Sequence, residues 1–108
     1  MYRSKKIGVV VPAFNEERFI ESTLQGVPAW VDLIVVVNDA SDDCTASIVE
    51  DYARGNHRVE FISHPTRRGP GAAIINGYRA VHERGDFDIV AVMAGDNQMA
   101  PEDLPGLL

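Results

Sequence analysis

Carboxylates and amides crowd two stretches of this chain, Asn38-Asp39-Ala40-Ser41-Asp42-Asp43-Cys44-Thr45 and Ala94-Gly95-Asp96-Asn97-Gln98. Side chains of this kind can hold a hard divalent cation against phosphate oxygens, accept from a fixed ligand N–H, or cap turns and helices. A third stretch, Pro12-Ala13-Phe14-Asn15-Glu16-Glu17, adds two acids. For a single acidic loop, capping is the economical account, and Asn15, Ser41, Asp42 and Asp43 all suit it. Several such loops on one edge of one sheet would call for a ligand.

Narrower chemistries fail on individual residues. Asp39, Ser41, Asp43, Thr45 and Glu50 fall at calcium-loop spacing, but Cys44 stands where the sharp-turn glycine belongs. A phosphotransfer Asp-x-Asp-x-Thr fails because Ser41 occupies the nucleophile's place. No Gly-x-Gly-x-x-Gly follows the first apolar run, which excludes a dinucleotide site, and no Gly-Lys-Ser/Thr occurs for a P-loop. Gly69-Pro70-Gly71-Ala72-Ala73 reads as a turn that lets a helix start close to a sheet. His57, His64 and His82 have no paired context and read as surface or loop residues, and Trp30 reads as a packing residue.

The elements that must position these residues follow from periodicity. Ile7–Val11, Leu33–Val37, Val59–Ser63 and Asp88–Met93 read as strands. Three are continuous apolar runs, as in strands buried on both faces of a parallel sheet, while Val59–Ser63 alternates and belongs nearer an edge. Glu16–Gln25, Thr45–Arg54 and Gly71–Arg84 carry helical period, and a fourth helix starts at Pro101. Strands alternating with helices predict an α/β fold, a three-layer open, mostly parallel sheet with helices on both faces, as a single domain over residues 1–108. Ligands of such sheets bind beyond the carboxyl ends of the strands, where all the polar stretches fall.

With 108 residues, 10 Lys+Arg and 16 Asp+Glu, the net charge is −6, which argues against nucleic acid as a partner. The longest apolar run, Leu33–Val37, is far too short to span a bilayer, and no apolar segment of signal-peptide length follows the basic start. The lone Cys44 permits no internal disulfide.

Four segments together resemble the N-terminal half of family-2 glycosyltransferases of the GT-A (nucleotide-diphospho-sugar transferase, Rossmann-like) fold, in the polyprenyl-phosphate mannosyl- and glucosyltransferase-like branch. Val9-Val10-Val11-Pro12-Ala13-Phe14-Asn15-Glu16-Glu17 resembles the opening strand and Pro-x-Tyr/Phe-Asn-Glu loop. Val36-Val37-Asn38-Asp39-Ala40-Ser41-Asp42-Asp43-Cys44-Thr45 resembles Val-Asp-Asp-Gly-Ser-x-Asp-x-Thr. Arg68-Gly69-Pro70-Gly71-Ala72-Ala73 with Asn76-Gly77 resembles Asn-x-Gly-Lys-Gly-x-Ala…Gly, and Ala94-Gly95-Asp96-Asn97-Gln98-Met99 with Pro101-Glu102-Asp103-Leu104 resembles Asp-Ala-Asp-x-Gln-x-x-Pro-Glu-x-Leu. Order and spacing agree along nearly the whole chain. Four places depart from the pattern: Asn38 and Ala94 replace acids, Pro70 replaces a lysine, and Arg67 takes the usual asparagine place.

The resemblance implies a hexosyltransferase that takes its sugar from a UDP- or GDP-linked donor, with a polyprenyl phosphate as acceptor and this chain as the donor- and metal-binding half of a truncated domain. It implies Pro12, Ala13 and Glu17 around base and ribose, with Glu17 accepting from a hydroxyl, and Asp39 accepting from the base's ring N–H. Asp96 would bind Mg²⁺ or Mn²⁺ against the diphosphate, and Arg67 or Arg68 would supply a phosphate-facing charge. No residue matches the family's catalytic base. The expected location is cytoplasmic, at the inner face of the membrane, and an unfinished sheet edge would invite a homo-oligomer. The alternative is a non-catalytic nucleotide-sugar-binding or regulatory module, favoured by Ala94, Pro70 and the missing base. A nucleotidyltransferase would need a Gly-rich, basic first loop, which Pro12–Glu17 does not offer.

Overall fold

The computed structural model describes residues 3–93. Their elements run β1 (Ile7–Ala13), α1 (Ile20–Gln25), β2 (Leu33–Asn38), α2 (Thr45–Arg54), β3 (Val59–Ser63), α3 (Pro70–Arg84) and β4 (Ile89–Val92). The strands form one all-parallel sheet in the order β3-β2-β1-β4. The chain moves outward from β1 to β3, then crosses back through α3 to lay β4 on the other side of β1. The strand order therefore reverses between β1 and β4, the place where open α/β sheets bind ligands.

The apolar runs explain the layers. Val9, Val10, Val11 and Ile34 to Val37 are fully buried, because parallel strands are covered on both faces. Val9, Val11, Ile34 and Val36 face α1 and α2 through Ile20, Leu24 and Val49. Val10, Val35 and Val37 face α3 through Ala73 and Val81. Burying each such side chain stabilises the fold by about 1.5–3 kcal/mol relative to exposure. β3, the alternating run, is an edge strand with only Val59 fully buried.

β2 runs one residue further than expected, to Asn38, and β4 is shorter, Ile89–Val92; β1, α1 and α3 differ from periodicity for physical reasons. β1 runs two residues past Val11, because Pro12 and Ala13 stay in register with Val37 and Asn38. Pairing of β1 with β4 ends at Val10, so the missing N–H of Pro12 breaks no ladder bond. α1 starts at Ile20 rather than Glu16, since the backbone of residues 15–17 is bonded to the loop after β2. α3 starts at Pro70, one residue before Gly71, with proline in the first turn where its lacking N–H costs nothing. The fourth helix expected at Pro101 lies outside the described residues.

At the amino ends of the strands, Arg58 ties the elements together. Its guanidinium donates to the carbonyls of Val27 at 2.9 Å, Pro28 at 2.6 Å and Val31 at 3.1 Å, beyond the end of α1. Trp30 packs against the core from this loop, as expected of a packing residue.

Candidate active site at the carboxyl edge

Beyond the carboxyl ends of β1 and β2, two loops are laced into one wall. Asn15 N–H donates to Ser41 Oγ at 3.0 Å, and Asn15 Oδ1 accepts from Asp42 N–H at 2.8 Å. Glu16 N–H donates to Thr45 Oγ1 at 2.9 Å, and Glu17 N–H to Asp43 Oδ2 at 3.3 Å. Glu17 Oε2 accepts in return from Cys44 N–H at 3.2 Å. Asp43 Oδ1 accepts from Thr45 N–H and from its hydroxyl, the local turn its type allows, whereas Asn15 bonds across to Ser41 and Asp42 of the other loop and α2 has no side-chain cap bond. Burial raises the Asp43 carboxyl, but the hydrogen bonds from Thr45 and from Glu17 N–H outweigh it and hold the group below the usual carboxylate range.

Asn38 ends β2 buried, its amide donating to Ser63 Oγ at 3.1 Å and its carbonyl accepting from Ser41 N–H. The amide thus joins β2 to β3 where the family pattern has an acid. Ala40 follows with φ 57°. That left-handed conformation suits glycine, the residue the family pattern puts there.

Asp39 is the centre of the site. It is 3% exposed, and its carboxylate accepts from partners on the loop between β3 and α3. Oδ1 accepts from Arg68 N–H at 2.8 Å and lies 2.9 Å from His64 Nδ1, while Oδ2 accepts from Gly69 N–H at 2.9 Å. The Arg67 guanidinium stands 3.9 Å from Oδ2, and its plane lies 3.9 Å from the centre of the Phe14 ring. Desolvation pushes the Asp39 carboxyl up; the hydrogen bonds from Arg68, His64 and Gly69 more than offset it, leaving it below the ordinary value.

His64 corrects the reading of all three histidines as surface or loop residues. His57 and His82 are exposed, but His64 is 5% exposed, held between Asp39 and Asn76, whose Nδ2 is 2.7 Å from Nε2. With the Asn76 amide so oriented it donates to Nε2, and the ring proton sits on Nδ1, donated to Asp39. The sequence signal for His64 was its place directly after a strand, on the same edge as Asp39. Its partner Asn76 lies twelve residues on, in the second turn of a helix, and nothing local pairs the two.

Of the residues expected at the donor site, Pro12, Ala13, Glu17 and Asp39 come together on this edge: Pro12 and Ala13 end β1, Ala13 O accepts from Asp39 N–H at 2.9 Å, and Glu17 is exposed beside the loop of Asp43. Asp96 lies outside the described residues. Among the described residues no three His, Cys, Asp or Glu side chains gather to hold a metal ion. A groove of about 540 Å³ beside α3, lined by Tyr78, Val81, Phe87 and Val90 among others, is separate from Asp39 and from every expected donor residue.

The sequence profile described as glycosyl transferase family 2 matches residues 8–108. The chain belongs to glycosyl transferase family 2. Among its relatives in that family, the undecaprenyl-phosphate mannosyltransferase of Micrococcus luteus is 33% identical over 105 residues, covering 95% of this chain and 43% of that protein. Glucosyl-3-phosphoglycerate synthase from Mycobacterium tuberculosis, solved with Mn²⁺, UDP-glucose and glycerol 3-phosphate, superposes with a TM-score of 0.66 at 27% identity over 94% of this chain and 38% of that one. A mannosyltransferase from Pyrobaculum calidifontis, solved with GDP-mannose and Mn²⁺, shares the fold with a TM-score of 0.72 at 24% identity, over 88% of this chain and 28% of that one. The family-2 chain thus has the GT-A fold expected from its motifs, and it spans less than half the length of these proteins.

Proposed function

We propose that the protein transfers a hexose from a UDP- or GDP-linked donor to an acceptor, a polyprenyl phosphate, with this chain supplying the donor- and metal-binding part. The observation that carries the reading is the wall at the carboxyl edge, where Pro12 and Ala13 at the end of β1, Glu17 in the loop after it and Asp39 after β2 lie beside the reversal in strand order. The M. luteus relative acts on undecaprenyl phosphate, and the M. tuberculosis structure holds UDP-glucose with Mn²⁺, which supports the donor and acceptor classes. An acceptor held in a lipid leaflet brings the protein to the inner face of the membrane.

In this reading Asp39 accepts from a base N–H, and Glu17 and the end of β1 border the ribose. A carboxylate offers about four acceptor directions. Three are taken by His64, Arg68 and Gly69 among the described residues, which leaves one at Oδ2, on the side facing Arg67. The described residues alone do not make a metal site, so Mg²⁺ or Mn²⁺ is assigned to Asp96 and to the donor's own phosphate oxygens. A divalent ion there would neutralise charge on the departing nucleoside diphosphate.

Thermal unfolding with UDP and GDP, each with and without Mn²⁺, tests this. A nucleotide at a hundredfold excess over its Kd should stabilise the protein by about 2.7 kcal/mol. Asp96→Ala should abolish only the metal-dependent part. Indifference to both nucleotides with Mn²⁺ would sink the reading. Ala94 in place of an acid favours the second reading, a non-catalytic binding module; nucleotide binding without transfer from UDP- or GDP-sugars would decide for it.

A further inference from the structure

Among the described residues every partner of the Asp39 carboxylate comes from one segment, His64 to Gly69, and one of those partners is a buried imidazole that no catalytic step uses. The other two donors are backbone N–H groups, which are held in place only if the segment is. His64 is what anchors it: its ring is buried, its N–H reaches Asn38 O at 2.9 Å, and its far nitrogen is held by Asn76 from the second turn of α3. A line of contacts thus runs from α3 through Asn76 and His64 to Asp39.

We infer that His64 is a positioning residue of the nucleotide site, locking the Asp39 carboxylate so that one acceptor position of Oδ2 stays open to a ligand N–H. The inference rests on the donor-site reading above and extends it to a residue that touches no ligand. Its chemistry is specific. An imidazole donating through Nδ1 fixes the rotation of the carboxylate about its Cβ–Cγ bond. The Arg68 and Gly69 N–H groups are backbone donors on different oxygens, so where they hold the carboxylate depends on the path of the segment that His64 anchors. His64 also keeps the carboxylate ionised in a buried place. Among the described residues the charged and titratable groups that face Asp39 are His64 and Arg67; those that face His64 are Asp39 and, as a neutral amide, Asn76.

The test is calorimetric titration of UDP and GDP with Mn²⁺ into the protein and its His64→Ala and His64→Asn variants, from pH 3 to pH 8. His64→Ala should weaken binding on the order of tenfold, the scale of one hydrogen bond to a charged group. It should also move the acid limb of the binding profile to higher pH, because burial then acts on Asp39 with less to oppose it. The asparagine amide can take the place of Nδ1, so His64→Asn should restore both affinity and acid limb. A role in folding alone would lower thermal stability but leave the acid limb where it was. If His64→Ala does not fold, Asn76→Ala, which frees Nε2, should give a smaller shift of the same sign. Binding unchanged in affinity and pH profile in these variants would overturn the inference and leave the donor reading standing. Failure of the unsubstituted protein to bind either nucleotide would overturn the donor reading itself.

Discussion

Ala40 holds a left-handed backbone next to the buried Asp39 carboxylate. An L side chain there costs about 1–2 kcal/mol, part of which glycine returns as greater freedom of the unfolded chain. Ala40→Gly is therefore expected to stabilise the protein by about 0.5–1 kcal/mol in urea unfolding, with nucleotide affinity preserved. Asp39 and Asp43 contribute to the acid sensitivity of the fold. Both titrate below the ordinary carboxylate value when folded, so their contribution is complete above about pH 4, the unfolded value, and is lost as pH falls through the folded ones. Stability should accordingly decline below about pH 4. Asp39→Asn puts an amide N–H₂ among donors and should cost about 1.5–3 kcal/mol at pH 7. The gap to the unsubstituted protein should narrow at pH 3, which denaturant titration at the two pH values would show.

Among the elements, α3 makes the tightest approach to the sheet. A Cβ on Gly77 would meet Val10 Cγ1 at 2.2 Å, inside a fully buried contact between helix and central strand. Gly77→Ala should destabilise the fold by about 1–3 kcal/mol, despite alanine's better helix propensity, and chemical denaturation would measure it. The elements themselves were legible: the apolar runs marked β1 and β2, the alternation in Val59–Ser63 marked an edge, and Gly55 and Gly85 marked helix ends. The late start of α1 was not, because it depends on Ser41, Asp43 and Thr45 reaching across from another loop, some 26 to 29 residues away. Likewise Asp39 could be placed on the ligand edge from its position after a strand. Its tie to His64 could not, since pairing across 25 residues leaves no local period.

The whole molecule divides its labour between the two ends of the sheet. At the carboxyl end lie the laced loops, the strained Ala40 and the buried Asp39–His64–Asn76 line. At the amino end, Arg58 clasps three carbonyls, and no helix among the described residues is long and apolar enough to cross a membrane. The net charge of −6 finds no use in a metal cluster among the described residues; several of its acids are spent instead as acceptors for loop N–H groups. Trp30, the sole tryptophan, packs on the core between α1 and β2, at the end of the sheet away from Asp39. Its ultraviolet emission therefore watches the core dissolve without seeing the nucleotide arrive, so one unlabelled sample can separate loss of fold from loss of ligand.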